Sequence, residues 1–317
     1  MTESTSGELT DPPHPGPGGT APPSMPALEA GTICAVAGQA QRQMRAWAAE
    51  HPALYDAKAF DPALFSTLAL AAAFSGPGLS AGGLRMANRV CLWCFGLDWL
   101  IDYAATSRVE VANLVQRCAT VADGGSTVGP PDGAAAEEEL VRFLAAIRGE
   151  LEAEPGYPGL RDVWRDELQR VLDAMALEWD WKTARADGGR GPTFEEYLAN
   201  ADNLGFSFVF ASHWIASGGG GNVPTVRAAS WAVQRVIRLL NDFGTYERDV
   251  QWGDLNALLL DRPRAEVEER IGELTSEART LLRGAAESGA PELAEYMERQ
   301  MDFCAGFYGV TDFWGTL

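Results

Sequence analysis

The amino-acid sequence predicts an all-α protein: a single-domain helical bundle around a central apolar cavity. From Gly38 onward, apolar residues recur at three- and four-residue spacing, and strand-type alternation is nowhere sustained. Short segments rich in proline and glycine separate these periodic stretches, as expected between helices. Because one helical domain of about 285 residues is large for its class, we expect the bundle to be wide enough to enclose a cavity.

The elements follow in order along the chain. Residues 1–30 contain seven prolines mixed with Gly, Ser and Thr, which predicts a disordered tail, and the folded domain is expected over residues 31–317. Thr193 and Glu196 form a capping-box pattern at the start of one helix. The helices are predicted at 37–50, 62–74, 84–106, 108–121, 135–152, 160–185, 194–217, 224–250, 264–286 and 291–309.

Composition limits the classes of partner. The chain has 317 residues, with 25 Lys and Arg against 44 Asp and Glu, a formal net charge of −19. This charge repels nucleic-acid phosphates and anionic membrane surfaces, so we expect neither as a partner. An anionic substrate fits only where arginines or divalent cations reverse the local field. Five scattered cysteines, no basic residue before Arg42 and no long apolar run lead us to expect a cytoplasmic protein.

The helix predicted at 224–250 carries a row of oxygen-bearing side chains. Asn241, Thr245 and Asp249 are spaced by four residues, so they share one face over two turns. Such oxygen ligands suit Mg²⁺, and Arg248 beside them is placed to bind phosphate, with Arg238 one turn before Asn241. The alternative interpretation is an ordinary solvated helix face.

A second acidic pair lies in the helix predicted at 84–106. Asp98 and Asp102 are one turn apart within a strongly apolar segment. Burying two unpaired carboxylates is expensive, and metal coordination offsets that cost. The alternative is that both carboxylates lie on an exposed stripe of the helix.

Together these motifs resemble those of the bacterial class I terpene synthases. Asp98 matches the first aspartate of the family's aspartate-rich motif and Asp102 its last, whereas Trp99 stands at the second aspartate. Asn241, Thr245 and Asp249 match the family's second metal-binding motif residue by residue, and Arg248 occupies the basic position before its final acid. The resemblance covers about residues 37–314.

The resemblance implies the class I terpenoid synthase fold and a metal-dependent activity on a prenyl diphosphate. By this resemblance, Asp98, Asp102, Asn241, Thr245 and Asp249 are metal ligands and catalytic residues, and three Mg²⁺ ions are expected. We expect a diterpene synthase, of the labdane-related type, that uses geranylgeranyl diphosphate or a bicyclic diterpenyl diphosphate. The bicyclic substrate requires a separate class II diterpene cyclase upstream, because no Asp-x-Asp-Asp motif occurs here. A homodimer is also consistent with the family.

The expected carbocation needs an apolar cavity walled by aromatic rings. Phe95, Trp179 and Tyr308 are candidates for substrate contacts there, together with the cations of Arg238 and Arg248. For each aromatic residue the alternative is ordinary core packing. A helix break at Asn203-Leu204-Gly205 is expected to free a backbone carbonyl that assists ionisation.

Two other functions remain open at this point. One is a sesquiterpene cyclase that uses farnesyl diphosphate, because the sequence does not reveal the cavity volume. The other is a non-catalytic isoprenoid-binding helical protein. The second is favoured by Trp99 and by the missing C-terminal arginine, since Asp312-Phe313 or Tyr308 stands near the family's usual Arg-Tyr pair. No arginine lies in the helix-break region either, a departure that resembles the labdane-related diterpene synthases.

Overall fold

The computed structural model describes residues 25–125 and 134–315, and all regular structure within these two ranges is helical. The prediction of an all-α fold is therefore confirmed. The α-helices are α1 (Ala27–Ala49), α2 (Pro52–Tyr55), α3 (Pro62–Ser75), α4 (Arg85–Asp98), α5 (Arg108–Ala122), α6 (Ala135–Leu151), α7 (Tyr157–Ala186), α8 (Phe194–Ala199), α9 (Phe206–Ala216), α10 (Val223–Trp252), α11 (Arg264–Glu287) and α12 (Pro291–Phe307).

Helix α1 begins ten residues earlier than predicted. Residues 27–30 belong to this helix rather than to the expected tail, and residues 1–24 lie outside the described residues. Pro26 directly precedes the helix, where its ring causes no clash, and no proline follows until Pro52. Ile33 is almost fully buried, so the added turns contribute to the core.

Polar side chains cap several helices at their N-termini. The predicted capping box is present: Thr193 Oγ1 accepts from the backbone N–H of Glu196 at 3.2 Å, and Glu196 Oε2 accepts from the N–H of Thr193 at 2.8 Å. Asp61 caps α3 and Asn222 caps α10 in the same way, through N–H groups three residues ahead. These caps fix the start of each helix.

Two of the predicted helices are interrupted, the second of them at the break expected near Gly205. The segment predicted at 84–106 is α4 followed by a π-helical stretch, Trp99–Ala104, in which the N–H of Ala105 donates to the carbonyl of Leu100 at 2.8 Å. The π-helical stretch itself contains no proline or glycine that would signal the wider turn. The segment predicted at 194–217 is broken into α8, a 3₁₀ turn at Ala201–Leu204, and α9. Gly205 makes this break with a φ of 73°, which favours glycine.

Six of the helices surround a central cavity. Residues from α3, α4, α7, α9, α10 and α12 line it, while α1, α5, α6 and α11 pack on the outside of this ring. Large aromatic side chains fill the core between the helices, among them Trp93, Trp164, Trp214 and Phe208. In the part of the chain that the structure describes, no helix has the length and apolar character needed to cross a membrane.

Candidate active site

Asp98 and Asp102 meet at the junction of α4 and the π-helical stretch, and both line the cavity. Their carboxyl groups lie close enough to perturb each other. Burial raises the pKa of Asp98 to about 6, although the charge of Arg248 opposes this shift. Burial and the neighbouring Asp98 raise the pKa of Asp102 well above its usual range. Two buried carboxyl groups this close together are a site that a cation would stabilise.

The second set of predicted ligands lies on α10. Asn241 and Asp249 line the cavity, whereas the Thr245 hydroxyl is directed along the helix and donates to Asp249 Oδ2 at 2.6 Å. Asn256 Nδ2 donates to the same oxygen at 2.9 Å. The Asp249 carboxylate is thus oriented by neighbours on both sides, while the ligand role predicted for Thr245 stays a prediction.

Arg248 connects the two acidic motifs. Its guanidinium donates to Asp249 Oδ1 at 3.2 Å and to Asp312 Oδ2 at 3.0 Å, and it also lines the cavity. The charge of Arg248 acts on Asp98 as well, so it lies in the field of both motifs. These carboxylates outweigh the effect of burial and raise the pKa of Arg248, which keeps it cationic.

Tyr308, after the end of α12, contacts α10 beside the predicted ligands. Its hydroxyl lies close to the Asn241 side chain, and the residue lines the cavity. This approach requires glycine at position 244, because a Cβ atom there would lie 2.8 Å from Tyr308 Cδ1. The substrate contact predicted for Tyr308 stays a prediction, and its proximity to Asn241 is an addition from the structure.

Arg238 lines the cavity within a buried polar network. It donates to Glu178 Oε1 at 2.9 Å and to the Tyr197 hydroxyl, which in turn donates to Asp242 Oδ1 at 2.7 Å. Burial raises the pKa of Asp242 to about 7, and the charge of Arg238 opposes this shift. Asn203, at the helix break, is a further donor to Glu178. The network holds the Arg238 guanidinium in one orientation at the cavity wall.

Sequence reasoning missed several polar residues at this site. Glu178 and Lys182 face the cavity from α7, and Asp254 lies just beyond the end of α10. Lys182 is paired with Asp254 and also donates to the backbone carbonyl of Asp102 at 3.4 Å. The four-residue spacing of Glu178 and Lys182 was a signal that they share a face, but it did not reveal which face.

Aromatic rings cover much of the apolar wall. Phe95 and Trp314 lie 5.1 Å apart between ring centroids, and both line the cavity. Trp179, predicted to contact substrate, instead packs half-buried against the core and is not part of the lining. Successive side chains on a helix point about 100° apart, so Glu178 faces the cavity and the next residue, Trp179, does not. Further aromatic lining residues are Tyr103, Phe206, Tyr296, Tyr308 and Phe313.

The C-terminal segment 312–314 closes one side of the cavity. Asp312 pairs with Arg248, while Phe313 stacks on Phe307 at 4.4 Å between centroids. Trp314 contacts Phe95 and Trp99. Asp312 therefore pairs with Arg248 near the position at which the family pattern has an Arg-Tyr pair.

The donor chemistry of this end of the cavity fits a hard divalent cation. Four of the side chains that line it carry oxygen donors, namely Asp98, Asp102, Asn241 and Asp249. The two aspartates are buried and close together, so this position is short of positive charge. Within residues 25–125 and 134–315 no group of three or more His, Cys, Asp or Glu side chains forms a ready metal cluster. The donors are thus divided between two helices rather than gathered on one.

Comparison with known proteins agrees with this geometry. A family model described as terpene synthase family 2, C-terminal metal binding, matches residues 89–260, which is more than half of the chain. The match includes most of α4, all of α10 and both acidic motifs.

A curated relative and several solved structures are also similar. Ent-pimara-9(11),15-diene synthase from Streptomyces sp. (strain KO-3988) is 28% identical over 281 residues, covering 86% of this chain and 90% of that protein. A structure of 2-methylisoborneol synthase from Streptomyces coelicolor A3(2), with Mg²⁺ and geranyl-S-thiolodiphosphate, is 15% identical, with a TM-score of 0.68 over 89% of this chain and 93% of that one. Linalool/nerolidol synthase from Streptomyces clavuligerus, with 2-fluorogeranyl diphosphate, is 16% identical, with a TM-score of 0.64 over 86% and 93%. At these identities the two structures establish the shared fold.

Proposed function

The chain belongs to the terpene synthase family, enzymes that act on prenyl diphosphates, and we propose that it is a Mg²⁺-dependent class I diterpene synthase. Its substrate in this proposal is geranylgeranyl diphosphate or a bicyclic diterpenyl diphosphate, and its products are diphosphate and a cyclic diterpene. One observation carries the proposal: two sets of oxygen donors, on α4 and α10, face one aromatic cavity with an arginine between them.

In this proposal Asp98 and Asp102 hold metal from one side of the cavity, and Asn241 and Asp249 hold it from the other. When bound, Mg²⁺ neutralises the diphosphate and makes it a better leaving group. Thr245 and Asn256 donate to Asp249 and so aim its carboxylate, while Tyr308 positions Asn241. The family expectation of three ions belongs to this proposal as well.

Arg248 and Arg238 are the proposed diphosphate-binding cations. Both guanidinium groups line the cavity, and Arg238 is held by Glu178 and Tyr197 before any substrate arrives. Their hydrogen bonds to the departing diphosphate strengthen as negative charge accumulates on it, which lowers the barrier to breaking the C–O bond.

After ionisation, the carbocation faces rings rather than water. Phe95, Phe206 and Trp314 present aromatic groups to the cavity, and ring quadrupoles stabilise a passing positive charge. The C-terminal segment and the surrounding helices limit the access of water, which would otherwise quench the cation early. Loss of a proton or capture of a nucleophile then ends the reaction.

The length of the substrate chain separates two candidates. The name of the Streptomyces relative, a pimaradiene synthase at 28% identity, supports a diterpene substrate. The cavity volume, about 210 Å³, favours the shorter farnesyl diphosphate as the second candidate, because it lies below the roughly 300–1,000 Å³ of typical ligand pockets. The bicyclic version of the diterpene proposal requires a separate class II cyclase as supplier.

Parallel incubations of the purified protein test the function. Farnesyl, geranylgeranyl and labdane-type bicyclic diphosphates are each supplied with Mg²⁺, and the organic extracts are analysed by gas chromatography and mass spectrometry. We expect a cyclic C20 product from one C20 substrate, and none when Asp249 is replaced by Asn. A cyclic C15 product alone would support the second candidate, and no product from a folded protein would contradict both.

A further inference from the structure

Asn88 is a buried amide without a hydrogen-bond partner for its side chain. It lies on α4, lines the cavity and is only 1% exposed. Within the described residues, neither its Oδ1 nor its Nδ2 atom meets a donor or acceptor. Buried polar groups are nearly always hydrogen-bonded, to protein or to ordered water, so this amide requires a ligand.

The position of Asn88 places that ligand far from the proposed metal end. Asn88 precedes Asp98 by ten residues on the same helix, which corresponds to about 15 Å along its axis. Tyr296 on α12 lies near Cys91, one turn after Asn88, whereas Tyr308, just beyond the other end of α12, lies near Asn241. Asn88 thus lies at the hydrocarbon end of the cavity, where the chain of a prenyl diphosphate would fold.

Other polar groups also line this part of the cavity. Gln300 Oε1 accepts from Ser75 Oγ at 2.5 Å, and Gln300 Nε2 contacts Cys304 Sγ at 3.5 Å. Tyr296 belongs to the lining as well, together with the small apolar side chains of Ala71 and Ala72 on α3. The Asn88 amide is therefore a buried, unpaired polar group on a largely apolar wall, and one water molecule can satisfy it.

We propose that Asn88 binds one water molecule and that this water ends the reaction by adding to the cyclised carbocation, so that the enzyme releases a terpene alcohol. This inference rests on the proposed terpene synthase function and specifies its product class. Asn88 Oδ1 accepts one O–H of the water, which leaves an oxygen lone pair directed into the cavity. Asn88 is in this sense a positioning residue, because it acts through the water.

The step balances with the components named. Heterolysis of the C–O bond leaves a carbocation and diphosphate, and the carbocation rearranges without gain or loss of atoms. The water oxygen then supplies an electron pair for a new C–O bond. The resulting oxonium loses one proton, which the released diphosphate takes up. The net reaction converts a prenyl diphosphate and water into a cyclic alcohol and hydrogen diphosphate.

Isotope labelling and one matched pair of variants test the chemical role. In H₂¹⁸O, the wild-type product should be an alcohol that carries ¹⁸O. Asn88→Leu keeps the side-chain size but removes both polar atoms, and should lower the ratio of alcohol to hydrocarbon by about tenfold, the equivalent of one hydrogen bond. Gly272→Ala, on the outer helix α11 where nothing lies within 4 Å of the added Cβ, should leave that ratio unchanged. A wild-type enzyme that forms only hydrocarbon, or an unchanged ratio in Asn88→Leu, would overturn the proposal.

A crystallographic measurement tests the water site independently of turnover. A high-resolution structure of the unliganded protein should show a water within hydrogen-bond distance of the Asn88 amide, and the Asn88→Leu structure should not. The melting temperature of the variant should be equal to or above that of wild type, since it loses an unpaired polar group. A dry Asn88 contradicts the inference, whatever the activity. Absence of all turnover from a folded protein with the water in place contradicts the proposed function instead.

Discussion

At the scale of single residues, the site is distinguished by acids that are held close together. Asp249 accepts hydrogen bonds from Thr245, Asn256 and Arg248, so its carboxylate has little freedom left. Asp98 and Asp102 are buried beside each other, and burial raises the pKa of both. A fixed acid on one helix and a close pair of acids on another form a site that a bound cation would stabilise.

The hydroxyl of Tyr197 is a residue-scale test of the Arg238 network. Tyr197→Phe removes the group that accepts from Arg238 and donates to Asp242, and it leaves the buried Asp242 short of one donor. We expect the free energy of unfolding to fall by about 1–3 kcal/mol. Urea denaturation measures this, with Tyr157→Phe at a half-buried position as the control. Equal stability of the two variants would show that the network contributes nothing.

His213 gives a second residue-scale prediction, which concerns pH. It is 2% exposed and stacks on Tyr296 at 4.3 Å between centroids, and burial lowers its pKa from 6.5 to about 4. The unfolded chain therefore binds the proton at a higher pH than the folded one. The stabilising contribution is complete above about pH 6.5 and is lost as pH falls towards 4, by up to about 3 kcal/mol.

The measurement compares wild type with His213→Phe, which keeps an aromatic ring but cannot titrate. Unfolding free energies of both proteins are determined between pH 7 and pH 4. Wild type should lose more stability than the variant over this interval, because other groups titrate equally in both. Parallel curves would mean that His213 titrates normally in the folded protein.

At the scale of elements, the approach of α12 to α10 holds the site together. Gly244 allows Tyr308 to contact α10, and the segment that follows brings Asp312 to Arg248. Two helix interruptions complete the cavity: the π-helical stretch after Asp98 and the break at Gly205. Irregular helical geometry of this kind is frequent at functional sites.

Gly244→Ala tests this approach directly. The added Cβ would lie 2.8 Å from Tyr308 Cδ1 and 3.0 Å from its carbonyl oxygen, so one helix must shift. We expect the variant to lose about 1–3 kcal/mol of stability, as is typical of overpacking, and to lose turnover.

Gly272→Ala, in α11, is the matched control for that substitution. Nothing lies within 4 Å of its added Cβ, so the same change should raise stability by about 0.5–1 kcal/mol through helix propensity alone. Thermal unfolding of both variants provides the comparison. A stable, active Gly244→Ala enzyme would contradict the proposed role of this contact.

The elements also show what the sequence could and could not reveal. Asp98, Asp102, Asn241 and Asp249 were predictable as ligand candidates because each set lies on one helix at four-residue spacing. Glu178 and Tyr197 were not, since their partner Arg238 lies 60 and 41 residues away along the chain. The helical fold followed from apolar periodicity. The π-helical stretch contains no proline or glycine, so its own residues gave no signal that would have predicted it.

At the scale of the whole molecule, a protein of net charge −19 has to bind a substrate that is itself strongly anionic. Arg238 and Arg248 contribute positive charge to the cavity, but carboxylates already surround both of them. The arginines alone therefore do not reverse the local field. Divalent cations are therefore needed to reverse the local field, and this makes the binding of metal and of diphosphate mutually dependent.

Thermal unfolding with Mg²⁺ and inorganic diphosphate, added separately and together, tests this central claim most directly. We predict that the two ligands together raise the melting temperature far more than the sum of their separate effects, because each creates the site for the other. Asp249→Asn should abolish this excess while the variant remains folded by circular dichroism. Equal stabilisation by diphosphate with and without Mg²⁺, or none under any condition, would contradict the account.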